Sequence, residues 1–348
     1  MVIKVLVVDD LYCMRTLISD ILNSDPEINV VGTAKDGKEA LNKLKTEKPD
    51  VITLDYIMPG LSGLATLNRI MSSHPTPVVM LSAYAKNGAA ITLNCLKAGA
   101  VGFVLKPSGS LSLDIQKVQD QIINEVKAAA KVDIKKLKSI LAKKPVKQTV
   151  KPFAVITEKA VVIGSSSGGP PVLELLLSEL PSNIPAGILI VQHMPAKFTE
   201  YLAEHLDKVC EISIKEAEDG DIVEAGKAFI APGDFHMIVE KKEIDGKTKR
   251  VIRLDMGPPT HGQRPSIDVT IDSVVEAYES NTIGVILTGM GDDGSEGMNK
   301  IKKAKGVTIV QDETTSLIFG MPKRVIDNGD ADFILPISEI GKKIIQVL

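Results

Sequence analysis

Tryptophan is absent from this 348-residue sequence, and aromatic residues amount to 3%. A surface that stacks unpaired bases needs more rings than that. There is no basic excess either. The formal net charge is −3, which excludes the electrostatic footprint of a nucleic-acid binder. Cysteine is confined to Cys13, Cys95 and Cys210, odd in number and scattered. That pattern fits reduced thiols, not a disulfide framework or a metal cluster. Long apolar runs are missing as well. The opening stretch Met1–Val8 is stopped by Asp9 and Asp10, too early for a signal peptide, and no stretch is long enough to span a bilayer. The expectation is a soluble, cytoplasmic protein. What remains is ordinary globular composition, 44% hydrophobic and 24% charged, with enough length for two cores at about 150 residues per domain.

From Lys4 to Ala130, short apolar runs alternate with amphipathic stretches. Strands are expected at Lys4–Val8, Asn29–Ala34, Val51–Leu54, Pro77–Leu81 and Gly102–Leu105. Helices are expected at Tyr12–Asn23, Gly37–Glu47, Gly63–Ser72, Asn87–Lys97 and Leu111–Ala130. Alternation of this kind predicts a doubly wound parallel sheet, with ligands beyond the carboxyl ends of its strands. Those ends carry Asp9 and Asp10, Asp55, Ser82, and Lys106 followed by Pro107. In a flavodoxin-like order the first and third strands are neighbours, so three carboxylates share one crevice. Such crowding is costly unless a cation neutralises it. Hard oxygen ligands suit Mg²⁺, leaving Lys106 and the Ser82 hydroxyl to hold the oxygens of a phosphoryl group. Taken singly, each residue has a plainer explanation, as a helix cap, a turn or a solvated end. Five such coincidences at strand ends are harder to accept.

Between Lys127 and Lys151 nine lysines face one aspartate. An apolar stripe through Val126, Ala130, Ile134, Leu137 and Leu141 continues the preceding helix. Beyond Lys144-Pro145 the periodicity fails, and Lys151-Pro152 punctuates again. The segment reads as a basic tether, partly helical and partly flexible.

The second half repeats the alternation. Strands are expected at Lys159–Ile163, Gly187–Gln192, Ile283–Leu287 and Val307–Gln311. Helices are expected at Pro171–Leu180, Phe198–Leu206 and Gly297–Lys303. Gly226–Asp255 reads as an antiparallel insertion turning at Ile244-Asp245-Gly246. The first of these strands runs straight into Gly164-Ser165-Ser166-Ser167-Gly168-Gly169. Gly164, Ser166 and Gly168 fit the Gly-x-Ser-x-Gly frame of a nucleophile elbow. A loop capping a helix or holding an anion at its N-terminus is the plainer alternative. His193 follows the second strand, and Thr288–Gly294, with Asp292 and Asp293, follows the third. A serine hydroxyl needs a base within hydrogen-bond reach, and histidine suits that role. A carboxylate fixes the imidazole tautomer. His236 and His261 are rival bases, and Asp292 is the direct rival of Asp293. Gly289, Gly291 and Gly294 suit backbone amides turned toward an oxyanion or, alternatively, a phosphate. His74 and His205 read as surface and helix residues.

The first half resembles the response-regulator receiver family through Asp9-Asp10, Asp55 with Met58-Pro59 and Gly63, Ser82-Ala83, and Lys106-Pro107. That resemblance implies phosphorylation of Asp55 by a partner histidine kinase. It also implies Mg²⁺ held by Asp10, Asp55 and the Ile57 carbonyl, with Asp9 helping. The second half resembles the catalytic domain of the chemotaxis protein-glutamate methylesterases. The motifs that carry it are Gly164–Gly169, Gln192-His193-Met194-Pro195, Ala231-Pro232-Gly233, Arg264-Pro265-Ser266-Ile267-Asp268, Thr288–Gly294 and Phe319-Gly320-Met321-Pro322. Where that family often has threonine after its nucleophile, Ser167 stands here, with Ser165 before it. The resemblance implies Ser166 as nucleophile, His193 as base and Asp293 as orienting acid, with Ser167 and the Met290 backbone at the oxyanion. The implied reaction is hydrolysis of glutamate γ-methyl esters on chemoreceptors, releasing methanol, with glutamine deamidation by the same apparatus and no cofactor for hydrolysis.

The expected architecture is therefore α/β. Two doubly wound parallel-sheet domains are expected: a flavodoxin-like one at residues 1–125 and a Rossmann-like one with an antiparallel insertion at residues 158–348. The basic linker at 126–157 joins them. A DNA-binding output would instead show a basic helix-turn-helix, and a silent scaffold would bind receptor helices without labelling at serine.

Overall fold

The computed structural model describes residues 2–83, 88–106, 115–143 and 158–348. Two compact units, Met1–Leu141 and Ala142–Leu348, divide the chain.

In the first unit β1 (Ile3–Val8), β2 (Ile28–Ala34), β3 (Val51–Asp55), β4 (Val78–Ala83) and β5 (Gly102–Lys106) form one sheet, with strand order β2-β1-β3-β4-β5. All pairings are parallel. Strands buried on both faces read as unbroken apolar runs, and Val5–Val8 have no exposed surface at all. Around the sheet lie α1 (Tyr12–Asn23), α2 (Gly37–Glu47), α3 (Gly63–Ser73), α4 (Gly88–Lys97) and α5 (Ile115–Ala129). Capping sets two of the starts. Asp36 accepts from Glu39 N at 2.8 Å and Ser62 from Ala65 N at 3.3 Å. Asn87, Pro107 and the start expected for the last helix at Leu111 lie outside the described residues.

The apolar stripe does not continue as one helix. The chain turns after Ala129 and restarts as α6 (Ile134–Ala142). Asp133, the one acid of the basic run, accepts from Lys135 N at 2.7 Å and so caps the new start. Leu137 and Ile140 of α6 are buried. This part of the basic segment is thus packed helix, while Lys144-Pro145 and Lys151-Pro152 lie outside the described residues.

The second unit is built on β6 (Ala160–Ser165), β7 (Gly187–Gln192), β8 (Ser213–Glu216), β9 (Lys227–Ile230), β12 (Thr282–Ile286), β13 (Val307–Gln311) and β14 (Phe333–Leu335). Their order is β14-β13-β12-β6-β7-β9-β8, parallel throughout. An antiparallel hairpin, β10 (His236–Ile244) with β11 (Lys247–Asp255), stands beside it. Asp245 and Gly246 both have positive φ, as a type I′ turn requires. The expected insertion therefore begins later than Gly226. Lys227–Ile230 belongs to the main sheet, where three of its four residues are buried. The helices are α7 (Gly169–Leu177), α8 (Phe198–Val209), α9 (Ile267–Tyr278), α10 (Ser295–Lys303), α11 (Met321–Asp327) and α12 (Ile337–Val347). Strand order reverses between β12 and β6. At this switch point the loops after β6, β7 and β12 open on the same edge. No helix among the described residues is long and apolar enough to cross a membrane.

Candidate active site

Ser166 is the first residue beyond β6. Its N–H donates to the Thr288 carbonyl at 3.1 Å, and its carbonyl accepts from Gly169 N at 2.8 Å, closing a tight turn into α7. Gly168 makes the turn with φ of +77°. Gly289 lets the next loop approach, since a Cβ there would lie 2.8 Å from Ser166 Cβ. Ser166 thus emerges at a crowded rim with 9% of its surface exposed.

His193 follows β7 and faces two ways. Its Nδ1 stands 3.1 Å from Ser166 Oγ, and its Nε2 stands 2.8 Å from Asp293 Oδ2. A serine hydroxyl, an imidazole and a carboxylate from three strand ends thus form one hydrogen-bonded chain. The ring presents Nδ1 to the serine, the reverse of the chymotrypsin-type arrangement. With the Nε2 proton on the carboxylate side, Nδ1 is left as the acceptor toward Ser166.

Asp293 is almost fully buried and surrounded by donors. Ser266 Oγ donates to Oδ1 at 2.9 Å, Asp268 N to Oδ1 at 3.0 Å, and Ile267 N to Oδ2 at 2.8 Å. The two amides are the first of α9, so the helix N-terminus also favours the anion. Burial pushes the carboxyl up. The His193 hydrogen bond and charge, with the two amides, outweigh it and hold Asp293 below the usual carboxylate range.

The rivals separate cleanly. Asp292 is about half exposed and faces His261 Nδ1 at 3.4 Å. His236 is buried, accepts from Ser266 N on Nδ1 at 3.2 Å and lies 3.1 Å from the Pro258 carbonyl through Nε2. It supports the loop that feeds α9. His205 pairs with Glu174 at 2.7 Å on α8, a helix contact. His74 ends α3. His261 lies close to Asp268 and Asp293, within metal-ligand spacing. Asp293 already accepts four hydrogen bonds, two on each oxygen, and has no lone pair to offer a cation there.

Ser167, next to Ser166 in the chain, and Met290, next to the Gly289 that approaches Ser166, are both half-buried. In the loop that holds Met290, Gly289 N donates to the Ile318 carbonyl at 3.0 Å. The Gly289 carbonyl accepts from Gly320 N and Met321 N at 3.1 and 2.9 Å. Those bonds pin the loop to Phe319-Gly320.

The sequence names Gln192 only within the Gln192-His193-Met194-Pro195 motif and gives it no role of its own. Its amide Nε2 donates to the Ser166 carbonyl at 2.9 Å and the His193 carbonyl at 3.3 Å, while Oε1 accepts from Ser165 Oγ at 2.6 Å. One buried amide ties the ends of β6 and β7 together. Ser266 was also missed as a partner of Asp293. A serine three residues before Val269 is a capping signal, but nothing local tells that its hydroxyl is turned to a distant carboxylate.

In the first unit Asp9, Asp10 and Asp55 offer carboxylate oxygens within 4.8 Å of one another. Lys106 Nζ bridges Asp9 Oδ2 at 2.5 Å and Asp55 Oδ2 at 2.9 Å. Burial raises the Asp55 carboxyl above its ordinary value, against the pull of Lys106 and the Ile57 amide. Three carboxylates to one ammonium leave an excess of negative charge among hard oxygen donors. That environment fits a divalent cation such as Mg²⁺. Ser82 lies in β4, paired with Leu105, and its side chain is outside the described residues.

A family model described as CheB methylesterase matches residues 161–344, and one described as response regulator receiver domain matches residues 5–116. The chain is 44% identical over 351 residues to a protein-glutamate methylesterase/protein-glutamine glutaminase of Pyrococcus abyssi, covering 99% of this chain and 94% of that protein. It is 45% identical over 347 residues to the Thermotoga maritima protein of the same name, covering 100% and 99%. The crystal structure of the Thermotoga maritima CheB methylesterase catalytic domain matches with a TM-score of 0.53 at 46% identity. It covers 56% of this chain and all of that one.

Proposed function

Because the chain belongs to the CheB methylesterase family and carries a response regulator receiver domain ahead of that part, we infer that it is a hydrolase of glutamate γ-methyl esters on chemoreceptors, releasing methanol. Ser166 is the nucleophile, His193 the base and Asp293 the orienting acid. One observation carries this assignment: the His193 ring spans Ser166 Oγ and Asp293 Oδ2 within hydrogen-bond reach of both.

The hydrogen-bonded chain from Ser166 through His193 to Asp293 supports the following path. Ser166 Oγ attacks the ester carbonyl carbon as its proton passes to His193 Nδ1. The imidazolium that forms is stabilised by Asp293, which stays ionised. The tetrahedral oxyanion lies toward the Ser167 and Met290 backbone, whose amides would serve as donors. Collapse breaks the carbon–methoxy bond, and His193 returns the proton to the leaving methoxide, giving methanol. Water then attacks the acyl-serine with His193 as base again. This leaves the receptor glutamate and free Ser166. A receptor glutamine side chain fits the same path with ammonia as the leaving group.

Asp55 is the acceptor for a phosphoryl group from a chemotaxis histidine kinase. Asp9, Asp10, Asp55 and the Ile57 carbonyl would hold Mg²⁺, which supplies counter-charge to the phosphoryl oxygens. Lys106, already on Asp55, and Ser82 orient those oxygens. Phosphorylation there raises hydrolysis in the second unit and so serves chemotactic adaptation.

A fluorophosphonate probe followed by peptide mapping tests the nucleophile. The expected adduct is on Ser166 and disappears in His193→Ala. An adduct on Ser165 or Ser167 instead would refute the assignment.

A further inference from the structure

Asp293 and Asp268 cap each other's helices. Asp293, just before α10, accepts from Ile267 N and Asp268 N at the start of α9, at 2.8 and 3.0 Å. Asp268, in the first turn of α9, reaches the other way. Its Oδ1 accepts from Gly297 N at 2.7 Å, and the Gly294 amide also donates to its carboxylate. Two helix N-termini are therefore laced together by two crossed carboxylates.

The second carboxylate is less completely satisfied than the first. Asp268 is 4% exposed, and its Oδ2 accepts no hydrogen bond. His261 Nε2 stands 3.2 Å from that oxygen. Burial, helped by the Asp293 charge and opposed by the Gly297 amide, pushes the carboxyl up to about 6. A buried anion whose second oxygen accepts no hydrogen bond and faces the His261 ring at 3.2 Å is an expensive way to hold two helices together. An apolar contact or a serine cap would join α9 to α10 at lower cost. What the carboxylate adds is a fixed position for the loop that bears Asp293.

Resting on the triad reading above, we propose that Asp268 is a positioning residue of the esterase centre. It pins the N-terminus of α10 to α9 and thereby fixes the Asp293 carboxylate against His193. It touches neither the substrate nor the imidazole. Its effect on the reaction passes through Asp293, because misplacing the orienting acid by a fraction of an ångström misplaces the base.

A double-mutant cycle on the full chain tests this, with methanol release from methylated chemoreceptor membranes as the assay. Asp268→Asn should lower kcat by about tenfold or more and leave KM within about twofold. Added to Asp293→Asn, the same change should cost less than about twofold further. Should Asp268→Asn prove unable to fold in thermal melts, Asp268→Glu carries the same cycle, since the longer side chain keeps the charge and shifts its place. Unchanged kcat, a loss confined to KM, or equal losses in both backgrounds would overturn the positioning role. Ser166→Ala in the same series separates the two readings. Turnover by that variant would remove the triad and this inference with it. An inert Ser166→Ala with multiplicative losses in the cycle would remove the positioning role alone.

Discussion

The Ser165 hydroxyl donates to Gln192 Oε1 at 2.6 Å, and this contact makes three consecutive serines inequivalent. Ser165 is fully buried and committed to the amide that clamps Ser166 and His193. Ser166 has its hydroxyl on the imidazole. Ser165→Ala leaves a buried acceptor with no donor, an expected cost of about 1–3 kcal/mol in stability. Its hydrolysis should fall yet remain measurable. Thermal melts and methanol release on the same preparation check both halves.

Asp292 and Asp293 are adjacent in sequence, but the second is buried on the imidazole and the first is half exposed. Asp293→Asn should lower kcat by roughly 10³–10⁴, the order seen when a triad acid is neutralised. Asp292→Asn should change it less than about threefold, as an exposed side chain outside the hydrogen-bonded chain. Steady-state kinetics of the two variants decide between them.

In the proposed scheme, control by the receiver acts through Asp55. In Asp55→Asn, basal hydrolysis should persist while stimulation by a small phosphodonor vanishes. In the wild type that stimulation should fall within the roughly 5- to 150-fold that a coupling of about 1–3 kcal/mol allows. Loss of the basal rate as well would mean that Asp55 acts on the fold or the chemistry directly.

The same aspartate makes stability depend on pH in a predictable sense. Burial raises the Asp55 carboxyl from its ordinary 3.8, and Lys106 only partly offsets this. A raised value means that the folded state favours the protonated form. That contribution is fully present below the ordinary value and is lost as pH rises through the folded one. Asp55→Asn should therefore melt higher than wild type near neutral pH, and the gap should close toward about pH 4. A gap that widens on acidification would contradict the buried-charge account.

Much of this was readable from residues alone. Buried parallel strands announce themselves as short continuous apolar runs, and Gly187–Gln192 was bounded to the residue. The strand ends then carried Asp55, Ser166 and His193 without further help. Less legible were features set by distant packing. The edge strand Ser213–Glu216 has one apolar residue in four and lacks a pattern. Lys227–Ile230 joins the main sheet because its inner residues are buried there, not because of anything in its own four letters. The break between α5 and α6 interrupts an apolar stripe that is helical on both sides of it. The donors around Asp293 come from Ser266, Ile267 and Asp268, more than 20 residues away in sequence.

Mg²⁺ should raise the melting temperature of the wild type by mass action on the folded state. Asp10→Asn should lose most of that increase, because it neutralises one of three clustered carboxylates. Calorimetric melts with and without a chelator measure it. An equal response in both proteins would place the cation elsewhere.

The claim on which the account depends is that Ser166, activated by His193, cleaves the receptor ester. Methylated receptor membranes incubated with wild type and with Ser166→Ala, each with and without phosphodonor, test it directly through the methanol released. The account predicts release by the wild type, faster with phosphodonor, and none above background by Ser166→Ala under either condition. Comparable release by Ser166→Ala would contradict it.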